Sequence, residues 1–389
     1  MNSHEFQYDA PNSVIERLRL ICAAGVLIVV AGLFVSPTRT WTNVLLISFY
    51  LVALGLSGAV FIALQYVSGA SWSVALRRIP EAMTLLVPVG GFGMLLVLLF
   101  HPSLYPWSRI EVQRELPAFR QAWLNPGFVR GRAVAYLIVW ILFAVALLRA
   151  SRKQDLDGQF SHTRDNVRLS AIFLVVFAVT FSLASVDWIM SLEPDWASTI
   201  FGMYNFAGLF VSGIAAITLL LVWLQKRKPL SSVITRHHLH DCGKLIFAFS
   251  TFWMYLWFSQ FMLIWYANLP EETTYYVQRL HGFWQPLFFL NLALNWVVPF
   301  FVLLPKTNKQ KPGVLARVSL TLLLGRWLDL YLMIAPPSLG AQPRIGIWEI
   351  GAAAAAVGVF GLCFFAAFRK APAVPVGDPY LAESVQYHG

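Results

Sequence analysis

Seven ionisable residues fall within, or at the edges of, long apolar runs: Glu81, Asp187, Asp241, Lys244, Arg326, Asp329 and Glu349. An ionisable side chain inside a bilayer costs on the order of 3 kcal/mol unless it is paired or faces a wet cavity. The seven are therefore candidates for a proton path. Glu81 and Asp241 stand at the starts of two runs, with Lys244 one turn after Asp241. Asp187 and Asp329 stand near the ends of two others, and Glu349 lies one turn into the last. Protons could pass between an acid at one face and an acid at the other through waters and the Ser, Tyr, Asn and Gln side chains of the spans. A structural role is the competing reading. Acids at a helix N-terminus complement its dipole, which accounts for Glu81 and Asp241. Arg326 precedes Asp329 by three residues, so the two share a helix face and can form a structural pair. Asp187 is not explained this way, because an acid at a helix C-terminus opposes the dipole.

A second chemistry is suggested by the polar and aromatic stretch Phe252, Trp253, Tyr255, Trp257, Ser259, Gln260, Trp265, Tyr266, Asn268 and Pro270-Glu271-Glu272. A quinol needs aromatic walls and hydrogen-bonding ends. Tyr255, Gln260, Tyr266, Glu271, Glu272 and the following His281 are the candidates to supply them. A packing interface with another subunit would use the same residue types. The histidines are His4, His101, His162, His237, His238, His240, His281 and His388, none of them in the middle of an apolar run. No facing pair for a haem b is expected, and the 237–240 group reads as the solvated start of a helix rather than a metal site. Cys22, Cys242 and Cys363 form no C-x-x-C or C-x-x-C-H spacing, which argues against an iron–sulfur cluster, a structural zinc or a covalently bound c-type haem on this chain.

The elements that must position these groups are membrane spans. Of 389 residues, 58% are hydrophobic and 12% charged, against about 25% charged in soluble domains. Runs of about 20 apolar residues are predicted at 18–36, 42–67, 82–100, 132–149, 168–190, 199–224, 242–268, 281–304, 314–335 and 345–368. The fold class is therefore all-α and polytopic, with a 1–17 tail, a ten-span domain over 18–368 and a loosely ordered, proline-containing 369–389 tail. Glu5, Asp9 and Glu16 make the N-terminus a poor cleavable signal, so the first run is read as a retained span. The long 101–131 connection carries four prolines together with Trp107 and Trp123.

Nineteen of the 29 Lys and Arg fall on the side of the termini and eight on the other. The positive-inside rule puts both termini in the cytoplasm. The net charge of +10 belongs to this bias rather than to nucleic-acid binding.

Spans 2–5 (42–190) and 6–9 (199–335) read as a parallel duplication of a four-helix unit, flanked by spans 1 and 10. Ser57-Gly58 in span 2 matches Ser212-Gly213 in span 6. Glu81 matches Asp241, and Asp187 precedes Pro194 by seven residues as Asp329 precedes Pro336.

Three segments carry a family resemblance: WSVALRRIPEAM (72–83), SVDWIMSLEPDWASTIFGMYNFAG (185–208) and FSQFMLIWYANLPEET (258–273). In these the chain resembles the ActF-type membrane subunit of bacterial alternative complex III, a quinol:cytochrome c oxidoreductase, within the NrfD/polysulfide-reductase membrane-anchor family. The resemblance extends over roughly 18–368. It implies ten spans with two four-helix bundles in the bacterial cytoplasmic membrane. It also implies a paralogous C-type membrane subunit that is more clearly tied to quinol, and multihaem cytochrome c and iron–sulfur subunits that hold the haem and clusters. Electrons would pass from quinol, such as menaquinol, to cytochrome c or directly to a terminal oxidase. The acids carried over are Glu81, Asp187, Asp241, Glu271 and Glu272.

The function implied is that of a membrane subunit supporting respiratory electron transport, with proton translocation as its candidate contribution. Two rivals stand beside it. One is a purely structural anchor, for which acid substitutions are silent unless the complex dissociates. The other is an autonomous secondary transporter, which would be active as a lone polypeptide.

Overall fold

The computed structural model describes residues 6–340 and 342–387; His4 and His388 lie outside them. The chain is an all-α polytopic membrane protein, with no strand among the described residues. Among the described residues ten helices are long and apolar enough to cross a membrane: Asn12–Val35, Pro37–Val67, Arg78–Phe100, Pro126–Asp157, Phe160–Leu192, Phe201–Leu224, Arg236–Ala267, Gly282–Leu303, Pro312–Leu339 and Ile347–Phe368. They are spans 1 to 10 below.

Several spans outrun their apolar cores. Span 4 begins six residues before the expected 132, because Asn125 caps it through the N–H groups of Gly127 and Phe128 and Pro126 occupies its first turn. Span 7 starts at Arg236, where the Thr235 hydroxyl and the His238 ring close a reciprocal cap. It ends at Asn268, which adopts the left-handed conformation at φ 48° just before Leu269-Pro270. Span 3 is interrupted by a turn at Thr84-Leu85. Span 8 contains a π turn over Ala293–Val297, an irregularity that often accompanies functional sites.

Spans 2–5 contact one another in the order 2–3–4–5–2, and spans 6–9 repeat that ring. The two bundles meet along spans 2 and 6, where Gly213 packs directly on Ser57. In their most apolar stretches 89% of span 2 and 83% of span 6 is buried, against 11% of span 1. Spans 2 and 6 therefore form the axis of the molecule, and span 1 lies at its rim. Span 1 packs along span 10 through glycines: Gly25 against the Ala355 backbone, Gly351 against Ile28 and Gly358 against Cys22. A Cβ at any of the three would overlap its neighbour. Small residues of this kind let helices approach where lipid offers no hydrophobic drive.

The C-terminal segment is not loosely ordered over its described length. The Ala373 N–H donates to the Phe6 carbonyl at 2.7 Å, and Asp378 pairs with Arg77 at 2.5 Å. The Ser384 hydroxyl accepts from the Ala75 N–H at 3.0 Å and donates to the Trp72 carbonyl at 2.7 Å. Arg77 is buried, and this segment supplies its counter-charge.

Candidate functional site

Asp329 sits in span 9, buried, with all four lone-pair positions of its carboxylate occupied. Arg326, one turn earlier, donates to Oδ2 at 2.5 Å, and Trp253 of span 7 adds its indole N–H at 3.3 Å. Oδ1 accepts a short hydrogen bond from the Tyr204 hydroxyl of span 6, and another from the Asn291 amide of span 8 at 3.1 Å. All four helices of the second bundle thus converge on one carboxylate. Arg326 is fully buried and donates a second time, to Asn205 Oδ1 at 2.9 Å. Gly208 leaves the space its guanidinium fills. Asn295, within the π turn, donates to Asn291 Oδ1 at 2.7 Å, which turns the Asn291 amino group toward Asp329.

Beside Asp329 lies a cavity of about 30 Å3, walled by Trp196, Tyr204, Trp257, Gln260 and Tyr275 among others. A water needs at least about 10–15 Å3 measured this way, so the cavity has room for one or two. Arg279 closes it. The side chain is buried and donates to the carbonyls of Leu332 and Tyr275, both at 2.8 Å, and to Glu193 at 2.6 Å. Its guanidinium carbon lies 3.4 Å from the centre of the Tyr275 ring. Burial pushes the Tyr275 phenol up to about 12, although Arg279 pulls the other way. Tyr275 therefore stays protonated and able to donate at any physiological pH.

Asp187 in span 5 holds the matching place in the first bundle. Arg132 of span 4 grips it in a fork, Nε at 2.9 Å and Nη2 at 2.8 Å. The Trp123 indole N–H at 2.9 Å and the Tyr136 hydroxyl at 3.0 Å complete four bonds. Each bundle therefore surrounds its aspartate with an arginine, a tryptophan and a tyrosine. Arg132 also lies 4.0 Å from the Trp123 ring centre and 4.3 Å from that of Phe128. The 101–131 connection covers this end. Tyr105 donates to the Trp188 carbonyl at 3.0 Å, Arg120 donates to the Pro194 carbonyl at 2.7 Å, and Trp107 is buried.

The other predicted acids are tied into the fold. Glu81 pairs with Arg78, accepts from the Ser151 hydroxyl at 2.7 Å and lies 3.7 Å from Arg77. Arg78 reaches on to Asp155. Asp241 pairs with Lys244, whose side chain is half exposed. Asp241 also bonds the Tyr387 hydroxyl and thereby raises that phenol. Glu349 accepts from Arg39 Nε at 2.7 Å, Asn43 at 2.9 Å and the Gly346 N–H at 2.8 Å, which ties span 10 to span 2.

Of the residues expected to form a quinol pocket, the structure brings only Gln260 to the cavity. Tyr255 and Tyr266 are 63% and 84% exposed on the opposite face of span 7. Glu271 and Glu272 occupy the first turn of the short helix Pro270–Leu280 and do not line it. His281 is exposed, with its ring bonded to the Val277 carbonyl at 2.9 Å. The reason is helical period: 253, 257, 260 and 264 share the inward face of span 7, while 255, 258, 262 and 266 share the outward one.

Trp123, Arg132, Tyr136, Tyr204, Arg279 and Asn291 were not singled out from the sequence. Asn291 and Tyr204, polar within apolar runs, carried a signal that could have found them. Among the described histidines only His238 is buried, and its Nδ1 is engaged by Thr235 at the start of span 7. No group of three or more His, Cys, Asp or Glu stands together as a metal site among the described residues.

The fold and these centres define a class: a polytopic helical membrane protein with a buried arginine–aspartate centre in each of two four-helix bundles. No protein-family model matches the chain, and no curated protein matches it.

Proposed function

We propose that this chain is an integral membrane subunit of a quinol-oxidising respiratory complex of the alternative complex III kind, and that its own chemistry is proton conduction through the second bundle. In this reading it lies in the bacterial cytoplasmic membrane with both termini inside. A paralogous membrane subunit and peripheral multihaem cytochrome c and iron–sulfur subunits carry quinol and electrons. Three acid- and tryptophan-rich segments resembling that family, at 72–83, 185–208 and 258–273, support the assignment.

The observation that carries the proton role is Asp329. It is a buried carboxylate, bonded directly to Tyr204, at the wall of a cavity that admits water but not a quinol headgroup. Ligand pockets for such molecules run to about 300 Å3 or more. Arg326 pairs with the carboxylate, and its other partners hold it in place. A proton arriving on a cavity water can reach Oδ1 through the Tyr204 hydroxyl. Arg279, Tyr275 and Tyr276 form the wall on the side of the Pro270–Leu280 helix, with Glu193 behind Arg279. Asp187, which is covered by the 101–131 connection, favours a structural role for the first bundle.

Two measurements test this. A tagged chain drawn from its own membrane in mild detergent is expected to bring haem- and cluster-containing subunits and a c-type spectrum; a lone, colourless, active polypeptide overturns the assignment in favour of a transporter. In the assembled complex, Asp329→Asn is expected to lower the protons moved per electron. An assembled variant with unchanged stoichiometry leaves the chain as an anchor only.

A further inference from the structure

A second cavity, of about 340 Å3, lies at the end that carries the termini, between spans 2 and 5, the 71–76 turn and the C-terminal segment. Its volume falls in the range of small-molecule sites. It is remote from the two aspartate centres, and the redox reading makes no use of it. Its rim carries opposite charges. Arg164 projects from the start of span 5, and Glu383 from the short helix Leu381–Val385. Both are exposed, and neither forms an ion pair among the described residues. Glu383 accepts only from the Ser71 hydroxyl, at 2.7 Å. Deeper in, Arg77 and Asp378 cancel each other at 2.5 Å.

The cavity is therefore not a basic pocket for any anion. It offers a cation and a carboxylate, Arg164 and Glu383, neither in an ion pair among the described residues, facing a shared space. Its remaining wall includes Phe160 and Val167. Phe160 is 49% exposed, and Val67, beside the lining on span 2, is 48% exposed. Apolar surface thus runs from the cavity onto the outer sides of the spans, at the level where a span meets the membrane surface.

We propose that this cavity holds the phosphoethanolamine headgroup of a membrane lipid, its phosphate on Arg164, its ammonium on Glu383 and its acyl chains along the Phe160 side. A phosphatidylglycerol headgroup would satisfy Arg164 and bring a second negative charge toward Glu383. A phosphatidylcholine headgroup has no N–H to donate to that carboxylate. The amine lipid alone matches both rim charges with hydrogen-bonding partners. Because Glu383 belongs to the C-terminal segment, bound lipid would also fasten that segment to spans 2 and 5.

The test is native mass spectrometry of the chain in its detergent-extracted assembly, after exchange into an equal mixture of phosphatidylethanolamine, phosphatidylglycerol and phosphatidylcholine with identical acyl chains. The wild type is expected to retain the ethanolamine lipid several-fold over the other two. Arg164→Ala is expected to weaken retention of all three. Glu383→Gln is expected to erase the preference for ethanolamine, a change of about three- to tenfold for one partly exposed charged contact. Both side chains are exposed, so both variants should keep the wild-type unfolding midpoint. Equal retention of the three lipids by the wild type, or a preference that survives Glu383→Gln, overturns the proposal. Displacement of the lipid by soluble glycerophosphoethanolamine at equal concentration overturns the membrane as its source.

Discussion

The two bundles bind the same kind of carboxylate with the same kinds of side chain and put it in different surroundings. Asp187 takes two of its four bonds from one forked arginine on a neighbouring helix, under a lid of loop residues. Asp329 takes one bond from an arginine on its own helix, and an asparagine supplies the bond that the fork's second arm supplies in the first bundle. The effect is to spread its partners over four helices and leave a water-sized space alongside. Two sites of the same composition can thus keep their charge balance while one is covered and the other borders a space large enough for water.

That contrast can be broken at the arginines first. Arg132→Ala leaves a fully buried Asp187 without its cation, and a broken buried pair costs about 3–5 kcal/mol. The matching Arg326→Ala should cost less, about 2–3 kcal/mol, because water in the adjoining cavity can take over part of the solvation. Unfolding midpoints in a denaturing-detergent titration measure both; equal losses, or a larger loss for Arg326→Ala, would remove the distinction between the covered site and the one beside the cavity.

A finer comparison uses the tryptophans. Trp123→Phe deletes a 2.9 Å hydrogen bond to a carboxylate and should cost about 1.5–2 kcal/mol. Trp253→Phe deletes a longer one, 3.3 Å, and should cost about 0.5–1 kcal/mol. The same titration decides the order.

Sharpest in function is Tyr204→Phe. It should leave assembly and the unfolding midpoint within about 1.5 kcal/mol of wild type while slowing proton movement, since the hydroxyl between the cavity and Oδ1 is gone. The corresponding Tyr136→Phe should leave proton movement unchanged. Equal proton rates in the two variants, measured in reconstituted vesicles, would place the path elsewhere.

Asp187 and Asp329 were legible as a pair because each is an acid near the end of an apolar run, seven residues before a proline. Their partners were less so. Arg132 falls where hydropathy draws the boundary of span 4, and a boundary arginine reads as a loop charge until the cap at Asn125 lengthens the helix beneath it. Helical period could have divided span 7 into the face holding Trp257 and Gln260 and the face holding Tyr255 and Tyr266, but composition alone treats the stretch as one. Asp378 was invisible for a different reason. Its role as counter-ion to Arg77 joins residues three hundred positions apart, and no local pattern announces such a pair.

The glycine seam between spans 1 and 10 sets an order on biosynthesis. Span 1 leaves the ribosome before the other nine spans, yet the surface it fits is made after the eight between them. At about 5–20 residues per second, the chain between Val35 and Ile347 takes on the order of 15–60 s to appear. Through that interval span 1 must remain in the bilayer with lipid or an insertion factor in place of its partner. A nascent chain stopped before Ile347 would therefore present an unpaired glycine face to the cell's membrane quality control, whatever the state of the two bundles already assembled between.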